Sequence, residues 1–275
     1  MDNRAIGVFD SGLGGLTAAQ ALRGLLPDER ILYLADSYNM PYGEKNRARI
    51  VEMSRMDLRF LLEKGVKAVF IACGTATSNA LEILEKESPV PVFGIVGPAA
   101  GKAAAATVNG RIGLLATRAS VRAGSYQRAI RALDPRLAVT AQACPRFATM
   151  VEDGIFEKDD EKVLAAAAEY LPPLKQTEVD TVILGCTHYP LLADVIGEYM
   201  GAGVKLISAG AAAAERLAAF LGANGLLNSS GGHGGTEYYT TGAPEAFART
   251  AELMLRQDVR GKLTGLEPFD KAGNM

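Results

Sequence analysis

Two cysteines of the sequence stand where short apolar runs end. Cys73 follows AVFIA at 68–72, and Cys186 follows TVILG at 181–185. A thiol has an ordinary pKa of about 8.5, so near neutral pH a modest shift makes one thiol a base while a second remains an acid. Two thiols facing each other across a polar pocket can take a proton from one face of a carbon and deliver another to the opposite face. The pair therefore predicts racemisation without a metal or an organic cofactor.

The residues beside each cysteine favour chemistry over packing. A lone Cys is more often a buried structural residue. Here Thr75 follows Cys73 by two positions, and Thr187 and His188 follow Cys186 directly. Apolar packing has no need of these hydroxyl groups or of the imidazole, so we predict that both cysteines are catalytic.

The third cysteine and the second histidine have simpler interpretations. Cys144 precedes Pro145 and Arg146, which suggest a turn, and we predict that this cysteine is structural. His233 lies in the glycine-rich stretch at 228–235, which we interpret as a surface loop. No paired-cysteine or HExxH spacing occurs, so no metal is expected. None of the motif positions is a lysine that could carry pyridoxal phosphate.

The elements that would position the cysteines follow from the hydrophobic pattern. Apolar, β-branched runs at 5–10, 31–35 and 68–72 predict strands, and amphipathic stretches at 16–26 and 46–64 predict helices. This βαβαβ order is typical of a mostly parallel sheet with helices on both faces. The predicted fold class is therefore α/β.

The second part of the chain repeats this pattern. RIGLLAT at 111–117 resembles RAIGVFDS at 4–11, and TVILGCTH at 181–188 resembles AVFIACGT at 68–75. Each repeat thus ends a predicted strand in a cysteine. The ligands of open α/β sheets gather at the carboxyl ends of the strands, so two such sheets could bring both cysteines to one cleft.

We accordingly predict two similar open parallel-sheet domains packed face to face around a central cleft. The first would comprise 1–97 plus 208–275 and carry Cys73, and the second would comprise 98–207 and carry Cys186. No glycine- or serine-rich linker separates them.

Composition narrows the class of partner. The formal net charge is −2 over 275 residues, without a basic cluster, which argues against nucleic acid. No apolar run approaches the roughly 18 to 20 residues that cross a bilayer, and the N-terminal residues do not resemble a signal peptide. Three cysteines do not make a disulfide framework. We expect a cytoplasmic protein that binds a small molecule and no membrane.

A glycine-rich segment, DSGLGG at 10–15, ends the first predicted strand. Its glycines would let backbone amides approach an anionic group, either a carboxylate or a phosphate, at the start of the next helix. Gly12, Gly14 and Asp36 partly imitate a dinucleotide-binding fingerprint, but Thr17 stands where its third glycine should be. Dinucleotide binding is therefore the weaker interpretation, and the Walker lysine pattern is absent.

Taken together, the motifs resemble the glutamate racemases of the aspartate/glutamate racemase superfamily. They are DSGLGGL at 10–16, PYGEK at 41–45, CGT at 73–75 and GCTHYP at 185–190, and YYTTGAPEAF at 238–247 is similar to the family's C-terminal segment. The resemblance implies cofactor-independent interconversion of L- and D-glutamate, which supplies D-glutamate for the peptidoglycan of the bacterial cell wall. Glutamate would be the small-molecule partner, and a homodimer is the assembly to test.

The resemblance also implies roles for individual residues. Cys73, assisted by Asp10, would remove the proton of the D-enantiomer, and Cys186, assisted by His188, that of the L-enantiomer. Glu152 resembles a family carboxylate near the second thiol. The residues that would hold the substrate are Asp10, Ser11, Tyr42, Gly43, Gly74, Thr75, Thr117, Thr187 and His188.

The residues alone leave alternatives open. Asp10 could be a helix cap, and Glu152 and Asp36 could be solvated surface charges. Gly74 departs from the family, which usually has Asn after the first cysteine. One lost hydrogen bond is worth about 0.5 to 1.5 kcal/mol, so Gly74→Asn is expected to change the affinity for glutamate more than the chemical step. The alternatives are a racemase of aspartate or another amino acid, and an inert amino-acid-binding relative.

Overall fold

The fold is known from a computed structural model that describes residues 1–228 and 234–269. The loop predicted around His233 lies outside the described residues. All paired strands run parallel. The strands are β1 (Ile6–Asp10), β2 (Ile31–Ala35), β3 (Ala68–Ile71), β4 (Val92–Gly94), β5 (Arg111–Ala116), β6 (Ala138–Ala143), β7 (Thr181–Leu184), β8 (Lys205–Ser208), β9 (Thr236–Thr240) and β10 (Leu263–Gly265).

The strands form two sheets, which confirms the predicted α/β fold with two open parallel sheets. The first sheet has the order β10-β9-β2-β1-β3-β4, and the second has the order β6-β5-β7-β8. We call each sheet, with the helices packed on it, the first and the second half. The first half takes its strands from both ends of the described chain. The predicted domains, 1–97 plus 208–275 and 98–207, stay a prediction.

Helices fill the connections between the parallel strands, as such crossovers demand. No helix of the described residues is long and apolar enough to cross a membrane. The helices are α1 (Leu16–Leu25), α2 (Arg47–Glu63), α3 (Gly74–Glu87), α4 (Val96–Ala106), α5 (Arg118–Ala123), α6 (Ser125–Leu133), α7 (Pro145–Glu152), α8 (Glu161–Tyr170), α9 (Pro172–Gln176), α10 (Ala193–Met200), α11 (Ala209–Ala223) and α12 (Pro244–Leu255).

The central strands of the first sheet are apolar because both of their faces are covered. Every residue of β1, β2 and β3 is buried. Ile6 is paired with Ile31 on one side and with Ala68 on the other, so the predicted strands lie side by side in the middle of the sheet. Continuous burial is the reason why these strands read as unbroken apolar runs.

A hydrophobic core extends across both halves. It contains Ile6 and Val8 of the first sheet, Ile112 and Leu114 of the second, and residues of α4 and α11 such as Ala213. The chain passes from the first sheet to the second between β4 and β5, and it returns between β8 and β9. The two sheets are therefore held in a fixed relation by shared packing, and their carboxyl edges face the same space.

The amino edge of the first sheet is held by a buried ion pair. Lys67 Nζ lies 2.6 Å from the Glu29 carboxylate, and both side chains are almost completely buried. Lys67 Nζ also donates to the carbonyl oxygens of Asp2 and Leu226, each at 2.7 Å. These bonds satisfy the ammonium group, as a buried charge requires. They lie at the end of β3 opposite to Cys73.

One local prediction was wrong. The segment around Cys144, Pro145 and Arg146 was interpreted as a turn, but Pro145 is the first residue of α7. Proline suits this position because its fixed φ angle is helical and the first residue of a helix needs no N–H donor. The helix matters for the site, because its last residue is Glu152.

Candidate active site

A cavity of about 660 Å³ lies between the carboxyl edges of the two sheets. Cys73 comes two residues after β3 ends and Cys186 two residues after β7 ends, so each half contributes one thiol. Every residue that the sequence analysis assigned to the site lines this cavity. These residues are Asp10, Ser11, Tyr42, Gly43, Cys73, Gly74, Thr75, Thr117, Glu152, Cys186, Thr187 and His188.

The second thiol belongs to a chain of three polar side chains. Cys186 Sγ lies 3.4 Å from His188 Nδ1, and His188 Nε2 lies 2.6 Å from Glu152 Oε1. All three residues come from the second half. Burial disfavours a charged imidazole, but Cys186 and Glu152 outweigh it and raise the pKa of His188 well above its ordinary value. The imidazole with this raised pKa lies in direct contact with the sulfur of Cys186.

The glycine-rich segment at 10–15, which we call the glycine loop, reaches across the cleft to Glu152. The Leu13 N–H donates to Glu152 Oε1 at 2.9 Å. A Cβ added at Gly12 would overlap this carboxylate, and one added at Gly14 would overlap the ring of His188. The anion predicted for the loop amides is thus a carboxylate of the chain itself. Burial alone would raise the pKa of Glu152, but the bonds from His188 and the loop amides lower it.

The first thiol has different neighbours. Cys73 is the N-cap of α3, and its Sγ accepts a hydrogen bond from the Ala76 N–H at 3.4 Å. The thiol donates to Ser11 Oγ at 3.6 Å. Burial, reinforced by the nearby carboxylate of Asp10, raises the pKa of Cys73. Burial therefore favours the protonated form of this thiol.

Asp10 connects the two thiol regions. Its carboxylate accepts the Gly15 N–H at 3.2 Å and the Thr187 hydroxyl at 3.3 Å. The N-cap of α1 is Gly15, so Asp10 is not the cap residue, although its carboxylate accepts the Gly15 N–H. The second contact crosses to the residue after Cys186. Burial, with a contribution from Glu152, raises the pKa of Asp10 to about 6. Asp10 is thus a buried carboxyl group that can titrate near physiological pH.

Tyr42 lines the cavity, but its hydroxyl group is used elsewhere. It lies 2.5 Å from Asp36 Oδ2 and 2.9 Å from Asp57 Oδ2, and Asp36 also accepts the Thr241 hydroxyl at 2.7 Å. Asp36 and Asp57 are completely buried. Asp36 is therefore neither a surface charge nor free to bind a ribose, and the backbone of Tyr42 and Gly43 is what this segment offers to a ligand.

Threonine hydroxyls join the two halves on the other side of the cleft. Thr75 Oγ1 lies 2.9 Å from Thr117 Oγ1, and Thr117 is the N-cap of α5. A Cβ added at Gly43 would lie 2.9 Å from Thr117 Cβ. Beside this contact, Arg118 and Glu44 form an ion pair of 3.0 Å at the mouth of the cavity. These contacts place hydroxyl groups of both halves against one small volume.

Several lining residues were missed by sequence reasoning. Met40, Arg118, Arg146, Thr149 and Met150 also line the cavity, three of them from α7. The signal for α7 was present, because Pro145 can open a helix and Phe147, Met150 and Val151 have the spacing of a buried helix face.

Cys144 lies outside the cavity, and the described residues form no metal-binding cluster. Cys144 is completely buried, donates to the Gln142 carbonyl oxygen at 3.7 Å, and does not line the cavity, which supports a structural role. Within residues 1–228 and 234–269, no group of three His, Cys, Asp or Glu side chains is placed to hold a metal ion.

The dinucleotide alternative finds no support in the loop geometry. Thr17, which replaces the third glycine of that fingerprint, donates to the Thr187 carbonyl oxygen at 2.8 Å and to that of Gly14 at 2.9 Å. The hydrogen bond to Thr187 holds the start of α1 against the second half, where a dinucleotide would need free space. A profile of the Asp/Glu/hydantoin racemase family, in contrast, matches residues 17–217. The fold and the site define the chain as an α/β racemase.

Similar proteins narrow the class further. The glutamate racemase of Corynebacterium diphtheriae is 40% identical over 98% of this chain and 99% of its own length. Among solved structures, the glutamate racemase isoform RacE1 of Bacillus anthracis has a TM-score of 0.93 at 33% identity, covering 98% of this chain and 99% of that one. The glutamate racemase of Francisella tularensis, solved with D-glutamate, has a TM-score of 0.89 at 32% identity, with coverage of 98% and 99%. The chain belongs to the glutamate racemase family.

Proposed function

We propose that this chain interconverts L- and D-glutamate by moving protons between the substrate and two thiols, Cys73 and Cys186. The observation that carries the proposal is that one cavity holds both thiols, one from each half, with a different set of polar partners around each. A planar carbanion between them would expose one face to each thiol. The family relationship supports racemisation as the reaction.

The unequal surroundings of the thiols suggest which one starts the reaction. Cys186, paired with a charged His188, is the base that takes the α-proton of L-glutamate, and the electron pair of the broken C–H bond stays on the carbon. Cys73, kept protonated by burial, then donates its proton to the opposite face, which forms the new C–H bond. After D-glutamate has formed, Cys186 is a thiol and Cys73 is a thiolate.

The reverse reaction uses the same groups in exchanged roles. Cys73 becomes the base for D-glutamate, and Asp10 is the neighbouring carboxylate that assists it. The Cys186 thiol is the acid for this direction. Both steps conserve protons between carbon and sulfur, so the chain's own residues suffice for the proton transfers.

Glutamate is proposed as the substrate because of the relatives. The Francisella tularensis protein, whose fold matches this chain over nearly its whole length, was solved with D-glutamate. Hydroxyl groups of Ser11, Thr75, Thr117 and Thr187, all lining the cavity, are suited to a carboxylate and an ammonium group. Asp10 and the backbone of Tyr42 and Gly43 complete the proposed substrate-binding set.

The proposed cellular role is the supply of D-glutamate for peptidoglycan. This role belongs in the cytoplasm, where thiols stay reduced, and catalysis by two free thiols requires such a compartment. A homodimer remains a proposal for the assembly, to be checked by light scattering of the purified protein.

The proposed reaction is tested with the purified protein, L-glutamate or D-glutamate, deuterated water and chiral analysis. Early product from either enantiomer should carry deuterium at the α-carbon, while recovered substrate stays largely unlabelled, because the thiol that takes the proton does not return it. A single shared base would label both. Parallel assays with aspartate and other amino acids decide the substrate, and binding of glutamate without exchange would identify an inert relative.

The two-thiol mechanism makes a prediction about variants. Cys73→Ala and Cys186→Ala should each lower the racemisation rate by at least roughly 10²-fold, the usual contribution of a positioned general acid or base. Cys144→Ala is the matched control, since this third buried cysteine lies outside the cavity. Circular dichroism checks folding. If either catalytic variant is folded and nearly as active as wild type, the mechanism is wrong.

A further inference from the structure

The main chain of the two halves meets directly beside the thiols. Gly74 follows Cys73 and Gly185 precedes Cys186. A Cβ added at Gly74 would overlap the carbonyl oxygen of Gly185, and it would also lie 3.4 Å from Ile95 Cδ1. The two segments can approach this closely only because residue 74 has no side chain.

Gly185 has little room to withdraw. Its N–H donates to the Leu115 carbonyl oxygen at 2.8 Å, and its own carbonyl oxygen accepts the Tyr126 hydroxyl at 3.1 Å. Tyr126 is completely buried. A Cβ on Gly185 would lie 2.8 Å from Leu114 Cδ1 and 3.0 Å from the Leu115 oxygen, so strand β5 covers its other side. The carbonyl is therefore a fixed point of the second half.

We propose that Gly74 is a positioning residue whose contact with the Gly185 carbonyl sets the separation of the Cys73 and Cys186 thiols. The proposal rests on the proposed function, because this separation matters only if both thiols act on one carbon. Each glycine is covalently bonded to one of the two cysteines, so any change at their contact moves a thiol. No other residue has to transmit the effect.

The expected consequence falls on the chemical step. A side chain at residue 74 would force the segments apart by about 1 Å, and a displacement of that size can cost about 10²-fold when reacting groups must be aligned. In the proposed substrate-binding set, the side chains of other residues hold the substrate's polar groups, and Gly74 has no side chain to offer. This reverses the sequence-based expectation for Gly74→Asn, because a close backbone contact, rather than a lost amide, is what distinguishes Gly74.

The test measures kcat and KM of Gly74→Ala and Gly74→Asn. The proposal requires kcat to fall at least tenfold in both variants, while KM for glutamate changes less than about threefold. The α-deuterium isotope effect on kcat should be at least as large as in wild type, which shows that proton transfer limits the rate. The matched control is Gly101→Ala, inside helix α4, where an added Cβ has nothing within 4 Å and kcat should be unchanged.

A double variant tests the fixed carbonyl itself. Tyr126→Phe removes the hydroxyl that holds the Gly185 oxygen, so the carbonyl can turn away from a new side chain. Gly74→Ala should then reduce kcat by a smaller factor in the Tyr126→Phe background than in wild type. Equal factors in the two backgrounds would contradict the proposal.

The outcomes separate this inference from the proposed function. A wild type without racemase activity contradicts the proposed function. An active wild type whose Gly74→Ala variant keeps its kcat, or loses only affinity, contradicts the inference alone. If Gly74→Ala does not fold, Tyr126→Phe by itself decides, because a loosened Gly185 carbonyl must lower kcat without raising KM, and an unchanged kcat overturns the proposal.

Discussion

The two thiols of the cavity lie in unlike electrostatic surroundings. Cys186 is next to an imidazole that carries a raised pKa, whereas Cys73 is buried beside the carboxylate of Asp10. A positive neighbour favours the thiolate and a negative neighbour favours the thiol. Under the proposed mechanism, the two directions of proton transfer should therefore respond differently to changes at Asp10 and at His188.

Asp10 should trade stability for activity. Its pKa is about 6 in the folded chain against 3.8 as a model value, so the folded state holds this proton more tightly than the unfolded chain. The stabilising contribution is complete below about pH 4 and is lost as the pH rises through about 6. The loss is at most on the order of 3 kcal/mol.

Asp10→Asn should therefore be more stable than wild type at pH 7, because the amide is uncharged and its burial does not require a proton. The variant should be far less active, because the amide cannot act as the carboxylate that assists Cys73. Urea denaturation at pH 4.5 and pH 7 measures the first effect. A variant that is less stable than wild type at pH 7, with its cavity hydrogen bonds intact, would show that burial of the charge is not the dominant cost.

Glu152→Gln isolates the charge of Glu152 from its geometry. The Leu13 N–H and His188 Nε2 both contact the same oxygen, Oε1, so an amide oxygen can keep both contacts. Loss of the negative charge lowers the pKa of His188, so the imidazole loses its proton at a lower pH than in wild type. The alkaline limb of the pH–rate profile for L-glutamate should move to lower pH, while affinity changes little. An unmoved limb would mean that His188 does not carry the charge.

The chemical types of the site residues could be predicted from sequence, but their burial could not. Cys73, Cys186 and His188 stand at strand ends, where side chains of parallel sheets converge, and the pattern alone shows this. Glu152 and Asp36 were equally compatible with a solvated surface. Their burial depends on donors that come from distant parts of the chain, such as Leu13 and Thr241, and no local pattern reveals them.

The glycine loop between β1 and α1 shows how an element can serve a neighbouring half. Its glycines allow the loop to lie against Glu152 and His188, while its amides supply hydrogen bonds to the carboxylate. Within the same loop, the Gly15 N–H donates to the Asp10 carboxylate at the start of α1. One short segment therefore supports polar groups beside both thiols.

Gly14→Ala should lower turnover without unfolding the protein. The added Cβ overlaps the His188 ring, which must turn away from Cys186 or Glu152, so we expect kcat to fall at least about tenfold. Gly24→Ala is the matched control in α1, because its Cβ meets nothing within 4 Å and the site is exposed. This control should keep full activity and gain about 0.5 to 1 kcal/mol of stability. Equal activities of both variants would contradict the role of the loop.

The strands could be predicted because strands that are buried on both faces consist of continuous apolar runs. Strands β1 and β2 end at the predicted residues, and α2 begins one residue after Asn46, whose side chain caps it. Helix α7 was missed because its short sequence contains both helix-starting and turn-like residues. Tertiary contacts of Phe147 with Tyr170 and Tyr189 decide its structure, and these partners are remote in sequence.

The buried ion pair and the proposed catalytic groups lie at opposite edges of the first sheet. Lys67 and Glu29 form their buried pair at the amino edge of the first sheet, while the thiols lie at the carboxyl edge. Removal of one partner from a buried pair leaves an uncompensated charge. Changes at the amino edge should therefore affect folding and spare catalysis.

Lys67→Met should destabilise the protein by about 3 to 5 kcal/mol while kcat of the folded fraction stays unchanged. The matched control is Arg30→Met, which removes an exposed ion pair of similar length with Glu237 and should cost no more than about 1 kcal/mol. Urea denaturation compares the two variants. Restoring stability in the double variant Lys67→Met with Glu29→Leu would confirm the cause, and equal effects of the two single variants would refute it.

The hydrogen bond from Leu13 to Glu152 joins positions 139 residues apart. It sets a condition for building hybrids with related enzymes. A recombinant that takes the second sheet from a relative inherits Glu152 and His188 but keeps the donor loop of the original parent, so the histidine's charge depends on residues from two different ancestors. Successful hybrids will be those in which the glycine loop and α7 come from the same parent, although the two segments lie far apart in the gene.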